Sequence, residues 1–241
     1  MASPLPFILE NLVIEHSVSP MKIGTDALLL GAYPKKIFSG ANCLDIGSGC
    51  GIITLMTARL NPEGRYTCVD IDEGATAECN HNIHFNGMSE YCRAVCCDIT
   101  RFGEAYSFDV IFSNPPFFDS KVKPQKKDLL VAKHQELLSF TDLAKAVNRL
   151  LSKSGFFYII LPGKEAVEFE KIASSFSIHP VGKLFMSSFK GSGVIREITV
   201  YQKAVISEIV NSEHLFLYRS GMRNDWSEEY RQMLRKFKKF D

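Results

Sequence analysis

The stretch LDIGSGCGI, Leu44–Ile52, decides the fold. A short apolar run carries an acid near its end, glycines follow at 47, 49 and 51, and the helical pattern IITLMTARL begins at once. Glycines at a strand-to-helix junction permit a tight turn and bring backbone N–H groups at the helix start close to a ligand. Their spacing departs from the dinucleotide pattern G-x-G-x-x-G, whose third glycine falls where this chain has Ile52.

Outward from this loop, short apolar runs alternate with helical patterns from about Ala41 to Pro162: ANCLDIG, IITLMTARL, YTCVDID, GATAECNHNIHFNG, RAVCCDI, FDVIFSN, TDLAKAVNRLLSKS and GFFYIILP. That alternation predicts parallel βαβ units and a doubly wound α/β domain, whose ligands bind beyond the carboxyl ends of the strands. A helix (AVEFEKIASSF), a strand (PVGKLFMSSF), the turn KGSG and a strand (VIREITVYQKA) follow, predicting a closing antiparallel hairpin at the sheet edge. The tail has apolar residues at Trp226, Tyr230, Met233, Leu234 and Phe237, a helical period, and Asp225 with Glu228 resembles a capping box that starts it. In MKIGTDALLLGAY, Met21–Tyr33, Gly24 bends the chain and Thr25 or Asp26 caps a short helix beginning at Ala27.

The ends of successive strands carry acids. Asp45 beside a pyrophosphate would be repelled and suits a cationic ligand, of which S-adenosylmethionine, with ammonium and sulfonium charges, is one. Asp70 can accept both hydroxyls of a ribose, with Asp72 the neighbouring alternative. Asp98 can accept from an adenine amine while the backbone N–H of Ile99 donates to the ring. With an acid and glycine loop, then acids after the second and third strands, the chain resembles the class I S-adenosylmethionine-dependent methyltransferases over about Ala41 to Ala204. That resemblance implies Asp45, Gly47, Gly49, Asp70, Asp98 and Ile99 as donor-binding residues. It also implies a Rossmann-like, mostly parallel seven-stranded sheet with an antiparallel C-terminal hairpin strand.

FSNPPFF, Phe112–Phe118, follows the fourth strand and resembles the Asn-Pro-Pro-aromatic motif of enzymes that methylate planar nitrogens in adenine, cytosine or a glutamine amide. Such a nitrogen delocalises its lone pair and is a poor nucleophile. The Asn114 side-chain oxygen and the Pro115 carbonyl can accept its two N–H groups and stabilise the charge that develops on methylation. Pro115 and Pro116 hold the loop extended, so Asn114, Pro115, Pro116 and Phe117 are the catalytic candidates, with Asn114 also beside the donor. Phe117 stacks on a flat target; Phe118 is a second ring for the target or a core residue.

MKIGTDALLLGAY closely resembles the leader of the bacterial tRNA1(Val) adenine-N6 methyltransferases, in which this segment folds over the methyl donor. The resemblance implies contacts of Lys22, Thr25 and Asp26 with the methionine portion of that donor. AKHQELLSFTDL resembles the same family's Arg-His pattern, with Lys133 in place of arginine and His134 retained; His134 either touches RNA or starts a helix. Lys133 lacks the planar fork of arginine. The terminal YRQMLRKFKKF resembles the family's final helix. The implied substrate is adenine 37 in the anticodon loop of a valine tRNA. Lys121, Lys123, Lys126 and Lys127, in the polar loop Asp119–Asp128, are placed to hold phosphates around the target, and Arg235, Lys236, Lys238 and Lys239 form a second basic run.

Bulk properties narrow the alternatives. Lys plus Arg number 28 against 27 Asp plus Glu, so any nucleic-acid surface is local. No basic n-region with a long apolar run and no span-length apolar stretch is visible, which predicts a cytoplasmic protein away from membranes. Seven cysteines lack zinc-site spacing and read as reduced thiols, so no metal is expected. A single methyltransferase domain over 1–241 is expected, with a leader (1–40) covering the donor site, a catalytic core (41–204) and an extension (205–241). Oligomeric state is open, a monomer being the simplest arrangement. Competing readings are a protein-glutamine N5 methyltransferase acting on release factors, a kind that usually carries a helical substrate domain before the glycine loop, where about forty residues stand here, and a non-catalytic RNA-binding protein on a methyltransferase-like fold. A DNA enzyme would need a target-recognition insert, and a nicotinamide oxidoreductase a different glycine spacing.

Overall fold

The computed structural model describes residues 5–33, 36–103, 108–116, 138–203, 211–222 and 224–240. The chain forms β1 (Phe7–Leu9), β2 (Leu12–Ile14), α1 (Thr25–Ala32), β3 (Asn42–Ile46), α2 (Ile52–Leu60), β4 (Arg65–Asp70), α3 (Glu73–Phe85), β5 (Cys92–Cys96) and β6 (Phe108–Ser113). There follow α4 (Phe140–Leu150), β7 (Leu151–Leu161), α5 (Gly163–Ser175), β8 (Ile178–Ser187), β9 (Val194–Lys203), β10 (Asn211–Phe216) and α6 (Glu228–Leu234). Strand order in the main sheet is β10-β8-β9-β7-β6-β3-β4-β5, with β9 antiparallel to β7 and β8 and every other neighbouring pair parallel.

The run from β5 to β8 is the seven-stranded sheet that the sequence predicts, and β10 extends it as an eighth strand parallel to β8. The KGSG turn joins β8 to β9, with Gly191 at φ 95° supplying the left-handed residue of the turn. Strand alternation divides the interior. Phe112, Tyr158 and Ile198 pack with α1, α2 and the C-terminal helix on one face, whereas Ile111, Phe157 and Tyr201 pack with α4 and α5 on the other. α2 is buried from Ile52 to Ala58, so its sequence is apolar on all sides. α4 is amphipathic and starts at Ser139, whose hydroxyl accepts the Asp142 N–H at 3.0 Å.

Two helix starts differ from the sequence reading. α1 begins at Thr25 after an extended Gly24, with no side-chain cap, because the Asp26 carboxylate turns instead to Arg196 of β9. At α6 the cap is Ser227, whose hydroxyl accepts the Tyr230 N–H at 3.0 Å; the Asp225 carboxylate is taken by Arg219 and Ser220. The leader also contains a hairpin that its short pattern did not announce, β1 and β2 turning through Glu10 and Asn11, the latter at φ 67°.

This hairpin is fastened to α3 by side-chain amides acting as backbone. Asn86 accepts from Val13 N (3.0 Å) and donates to Val13 O (2.8 Å), while Asn82 accepts from Glu15 N (2.8 Å) and donates to Glu15 O (2.8 Å). Asn82 also donates to Cys50 O at 2.9 Å, tying the leader to the glycine loop through one helix.

Gly51 is the most constrained glycine of that loop. Its φ is 83°, and a Cβ there would lie 2.5 Å from the buried Cys79 Sγ. Gly51→Ala should therefore destabilise the protein by about 2–4 kcal/mol, combining left-handed strain with overpacking, read as a lower urea midpoint at unchanged slope.

Candidate active site

Parallel pairing brings the predicted acids to one edge. In the register Asp45 lies opposite Cys68 of β4 and Phe112 of β6, Asp70 opposite Cys96 of β5, and Ile46 opposite Ser113. The Ser113 hydroxyl donates to Ile46 O at 3.0 Å, fixing the end of β6 beside the end of β3 and so placing Asn114 next to the glycine loop.

Asp45 is 1% exposed. One carboxylate oxygen accepts from Thr54 Oγ1 at 2.9 Å, and the other, Oδ1, is buried with no hydrogen-bond partner among the described residues. Burial pushes its pKa up to about 7, against the opposing hydrogen bonding to Thr54, and the nearby Asp70 carboxylate adds to the rise. A buried carboxylate with an orphaned oxygen calls for a cation. At Gly47 and Gly49, at φ 70° and 53°, a Cβ would meet no atom within 4 Å among the described residues beyond the adjoining ones, so there is room over the loop.

Asp70 is oriented by its surroundings: Oδ2 accepts Gly49 N at 2.8 Å and Oδ1 accepts Asp72 N at 3.0 Å. The alternative, Asp72, serves as the N-cap of α3, accepting Ala75 N at 2.7 Å. Asp98 Oδ1 accepts from both Thr100 N (2.9 Å) and Thr100 Oγ1 (2.8 Å), and these bonds hold its carboxyl below the usual carboxylate range. Ile99 is buried, and its carbonyl accepts from Arg149 of α4, whose guanidinium also bonds the carbonyls of Thr100, Phe102 and Gly103. Arg149 thus fixes the loop carrying Asp98 and Ile99; its distance in sequence hides the role.

Asn114 is half-buried and Pro115 buried, while Pro116 is exposed. Asn114 Oδ1 is inaccessible and has no partner among the described residues. It borders a cavity of about 360 Å³ whose walls include Lys22, Thr25, Asp26, Met186 and Arg196. Arg196 Nε donates to Asp26 Oδ2 at 2.7 Å across this cavity's wall, a pairing between residues 170 apart that no sequence pattern foretells. Lys22 Nζ donates to the carbonyls of His16 (2.7 Å), Ser17 (2.9 Å) and Ser19 (3.0 Å), so its ammonium is engaged by the leader's own backbone. Phe117, Phe118, Lys121, Lys123, Lys126, Lys127 and His134, with the loop Asp119–Asp128, lie outside the described residues.

The Methyltransferase small domain family matches residues 16–161. A tRNA1(Val) (adenine(37)-N6)-methyltransferase of Phocaeicola vulgatus is 31% identical over 231 residues, covering 96% of each chain. One from a Flavobacteriaceae bacterium is 30% identical over 98% of this chain and 99% of its own. The chain belongs to the tRNA1(Val) (adenine(37)-N6)-methyltransferase family. Among solved structures, a predicted O-methyltransferase of Agrobacterium tumefaciens superposes with TM-score 0.68 at 12% identity, over 87% of this chain and 95% of its own. The mitomycin 7-O-methyltransferase MmcR gives 0.51 at 15% identity, over 74% and 53%. These likenesses establish the class I methyltransferase fold, and family membership makes S-adenosylmethionine the methyl donor. Among the described residues no group of three His, Cys, Asp or Glu side chains is placed to hold a metal, and no helix is long and apolar enough to cross a membrane.

The residues fit that donor: Asp45 offers a cationic ligand a carboxyl oxygen with no partner among the described residues, the glycine loop gives room, and Asp70 is held in place with oxygen lone pairs to spare. From the ordinary value of 3.8 to about 7, folded protein keeps Asp45 protonated while the unfolded chain ionises, so this residue's stabilising contribution falls as pH rises through that window. Binding of a cation to the ionised form has the opposite dependence. Donor affinity should therefore rise with pH toward about 7, and calorimetry at about pH 6 in buffers of different protonation enthalpy should register proton release. Asp45→Asn should leave the free protein at least as stable while weakening donor binding by about tenfold or more, and should abolish the proton release.

Proposed function

We propose that the protein transfers a methyl group from S-adenosylmethionine to the N6 amine of an adenine in a tRNA anticodon loop, adenine 37 of valine tRNA being the target named for its relatives. The observation that carries this reading is Asn114, whose buried Oδ1 has no partner among the described residues and which lies in the wall of a cavity of about 360 Å³, room enough for a planar base. When bound, S-adenosylmethionine supplies an electrophilic methyl group on a sulfonium centre. Asn114 Oδ1 accepts an N–H of the exocyclic amine, which favours a pyramidal nitrogen with its lone pair available and stabilises the positive charge as the N–C bond forms. The Pro115 carbonyl is the second acceptor in this reading, and the surplus proton leaves the methylated nitrogen for solvent. Phe117 stacks on the base, and Lys121, Lys123, Lys126, Lys127 and His134 belong to the RNA side of the site.

Support for a polyanionic substrate also comes from the C-terminus. Arg231–Phe240 contains five of the chain's 28 cations and no acid. Tyr218, Trp226 and Tyr230 stack at centroid distances of 4.8 and 4.5 Å, and Lys238 Nζ sits 5.7 Å from the Trp226 ring. Leu217, next to Tyr218 in sequence, is part of the wall of the Asn114 cavity. Leader, core and extension act as one domain in this reading, and the tRNA substrate places the protein in the cytoplasm.

Incubation with labelled donor and total tRNA, followed by nucleoside analysis, should yield N6-methyladenosine; label in protein alone would overturn the assignment. Asn114→Ala should lower kcat by roughly a hundredfold or more while donor binding is kept. Lys236→Ala with Lys238→Ala should weaken tRNA binding and reduce the slope of log K against log salt by about one for each phosphate that the variant no longer neutralises.

A further inference from the structure

Glu78 lies in the middle of α3, a helix capped by Asp72 two residues beyond Asp70, and its carboxylate faces the leader. The residue is 7% exposed. Oε1 accepts Val18 N at 2.8 Å and Ser17 Oγ at 3.2 Å; Oε2 accepts Ser19 N at 2.9 Å and Ser19 Oγ at 2.5 Å. Ser19 is fully buried. No cation pairs with this carboxylate among the described residues, and the leader's N–H and O–H groups supply its solvation. On the other side of the same loop the carbonyls of His16, Ser17 and Ser19 converge on Lys22 Nζ. Residues 16–19 are therefore polarised between an inner anion and an outer cation, and the two charges meet through peptide dipoles without touching.

The placement matters because the next segment of the chain lines the site. Met21 to Ala27 forms one wall of the cavity that Asn114 borders, and Asp26 in that wall pairs with Arg196. Glu78 and Asn82 in α3 and Asn86 at its C-cap fall at successive four-residue intervals and bond leader residues 17–19, 15 and 13 in turn. One helix stripe thus holds the leader from β2 to the edge of the cavity. Val18 presses on the start of the same helix, where a Cβ on Gly74 would come within 2.8 Å of its Cγ1.

We propose that Glu78 is a positioning residue for methyl transfer: with Lys22 on the outer side, it clamps residues 16–19 so that the Met21–Ala27 wall faces Asn114 and holds the target base there. The inference rests on the adenine-methylating reading of the site and assigns the leader's charged residues to the target side of it. Lys22 then acts through the loop, and a direct donor contact is not its role. Burial alone would raise the Glu78 pKa, but the bonds from Ser19, Val18 and Ser17 outweigh it and hold the carboxyl below its usual range, as a clamp that works ionised requires.

The test uses Glu78→Gln, Lys22→Met, the double variant and Ser19→Ala, which deletes one bond without changing charge, all on the full chain. Trypsin cleavage after Lys22 should speed up by about tenfold in Glu78→Gln and measurably in Ser19→Ala, since cleavage reports local opening. With tRNA saturating, kcat should fall by about tenfold in Glu78→Gln and by less in Lys22→Met, and the double variant should fall short of the product of the singles because both act on one loop. Donor Kd, measured by calorimetry without tRNA, should move less than about threefold in every variant. Multiplicative effects, or a donor Kd that weakens as much as kcat, would place Lys22 or the leader in the donor site and overturn the proposal. Unchanged kcat in a variant whose leader is cleaved faster would reduce the clamp to a stability element. If the wild-type chain methylates no tRNA adenosine, the functional reading falls, while unchanged tryptic cleavage in both Glu78→Gln and Ser19→Ala still rejects the clamp on its own. Should Glu78→Gln fail to fold, Ser19→Ala decides by the same readings.

Discussion

Parallel pairing of β3 with β4 on one side and β6 on the other is the constraint that creates the site. Because these strands run in one direction, their carboxyl ends open at the same edge, and whatever each strand carries there is delivered to a common place. Asp45, Asp70 and Asn114 come together by register, and the Ser113 to Ile46 hydrogen bond locks the third strand end against the first. A one-residue slip would turn Asp45 to the opposite face and expel its carboxylate from the buried position that raises its pKa. The cost of burying that carboxylate is offset in the free protein by Thr54 on one oxygen alone. Such a site is unstable toward ionisation until a cation arrives, which is the property expected of a binding group and not of a structural one.

Much of this was legible in the sequence, for a physical reason. Parallel strands buried on both faces read as continuous apolar runs, and glycines and acids at their ends break those runs sharply, so β3 to β7 and their helices stand out. The placement of Asp45, Asp70 and Asp98 at or just beyond strand ends is what local pattern does encode. What was not legible depends on contacts between distant segments. Which of Asp70 and Asp72 caps α3 was not legible, and the structure gives the cap to Asp72. The Asp225 cap failed for a related reason: Arg219 and Ser220 offered its carboxylate better partners than the helix N–H groups did, and Ser227 was free to take the cap. β1, β2 and β10 are short or polar, and tertiary partners define them.

The leader shows how polar side chains can take peptide groups as partners. Lys22, Asn82 and Asn86 each bond peptide groups of the leader. β2 pairs with β1 on one side only, and the N–H and C=O groups that the leader turns toward α3 must find partners where water is excluded. Asparagine, with one acceptor and a pair of donors on a flat amide, reproduces the pairing of a neighbouring strand from a helix surface. A carboxylate cannot do so, having no donor, which is why Glu78 sits where the chain bends and presents several N–H and O–H groups together. The change from asparagine to glutamate along one stripe therefore tracks the change from extended strand to loop in the segment it holds. That stripe occupies the same helix whose first turn is capped by Asp72, two residues beyond Asp70. In the proposed reading, donor-side and target-side elements are referenced to this one helix, and a reaction that needs two molecules aligned gains from having its two walls measured from the same helix.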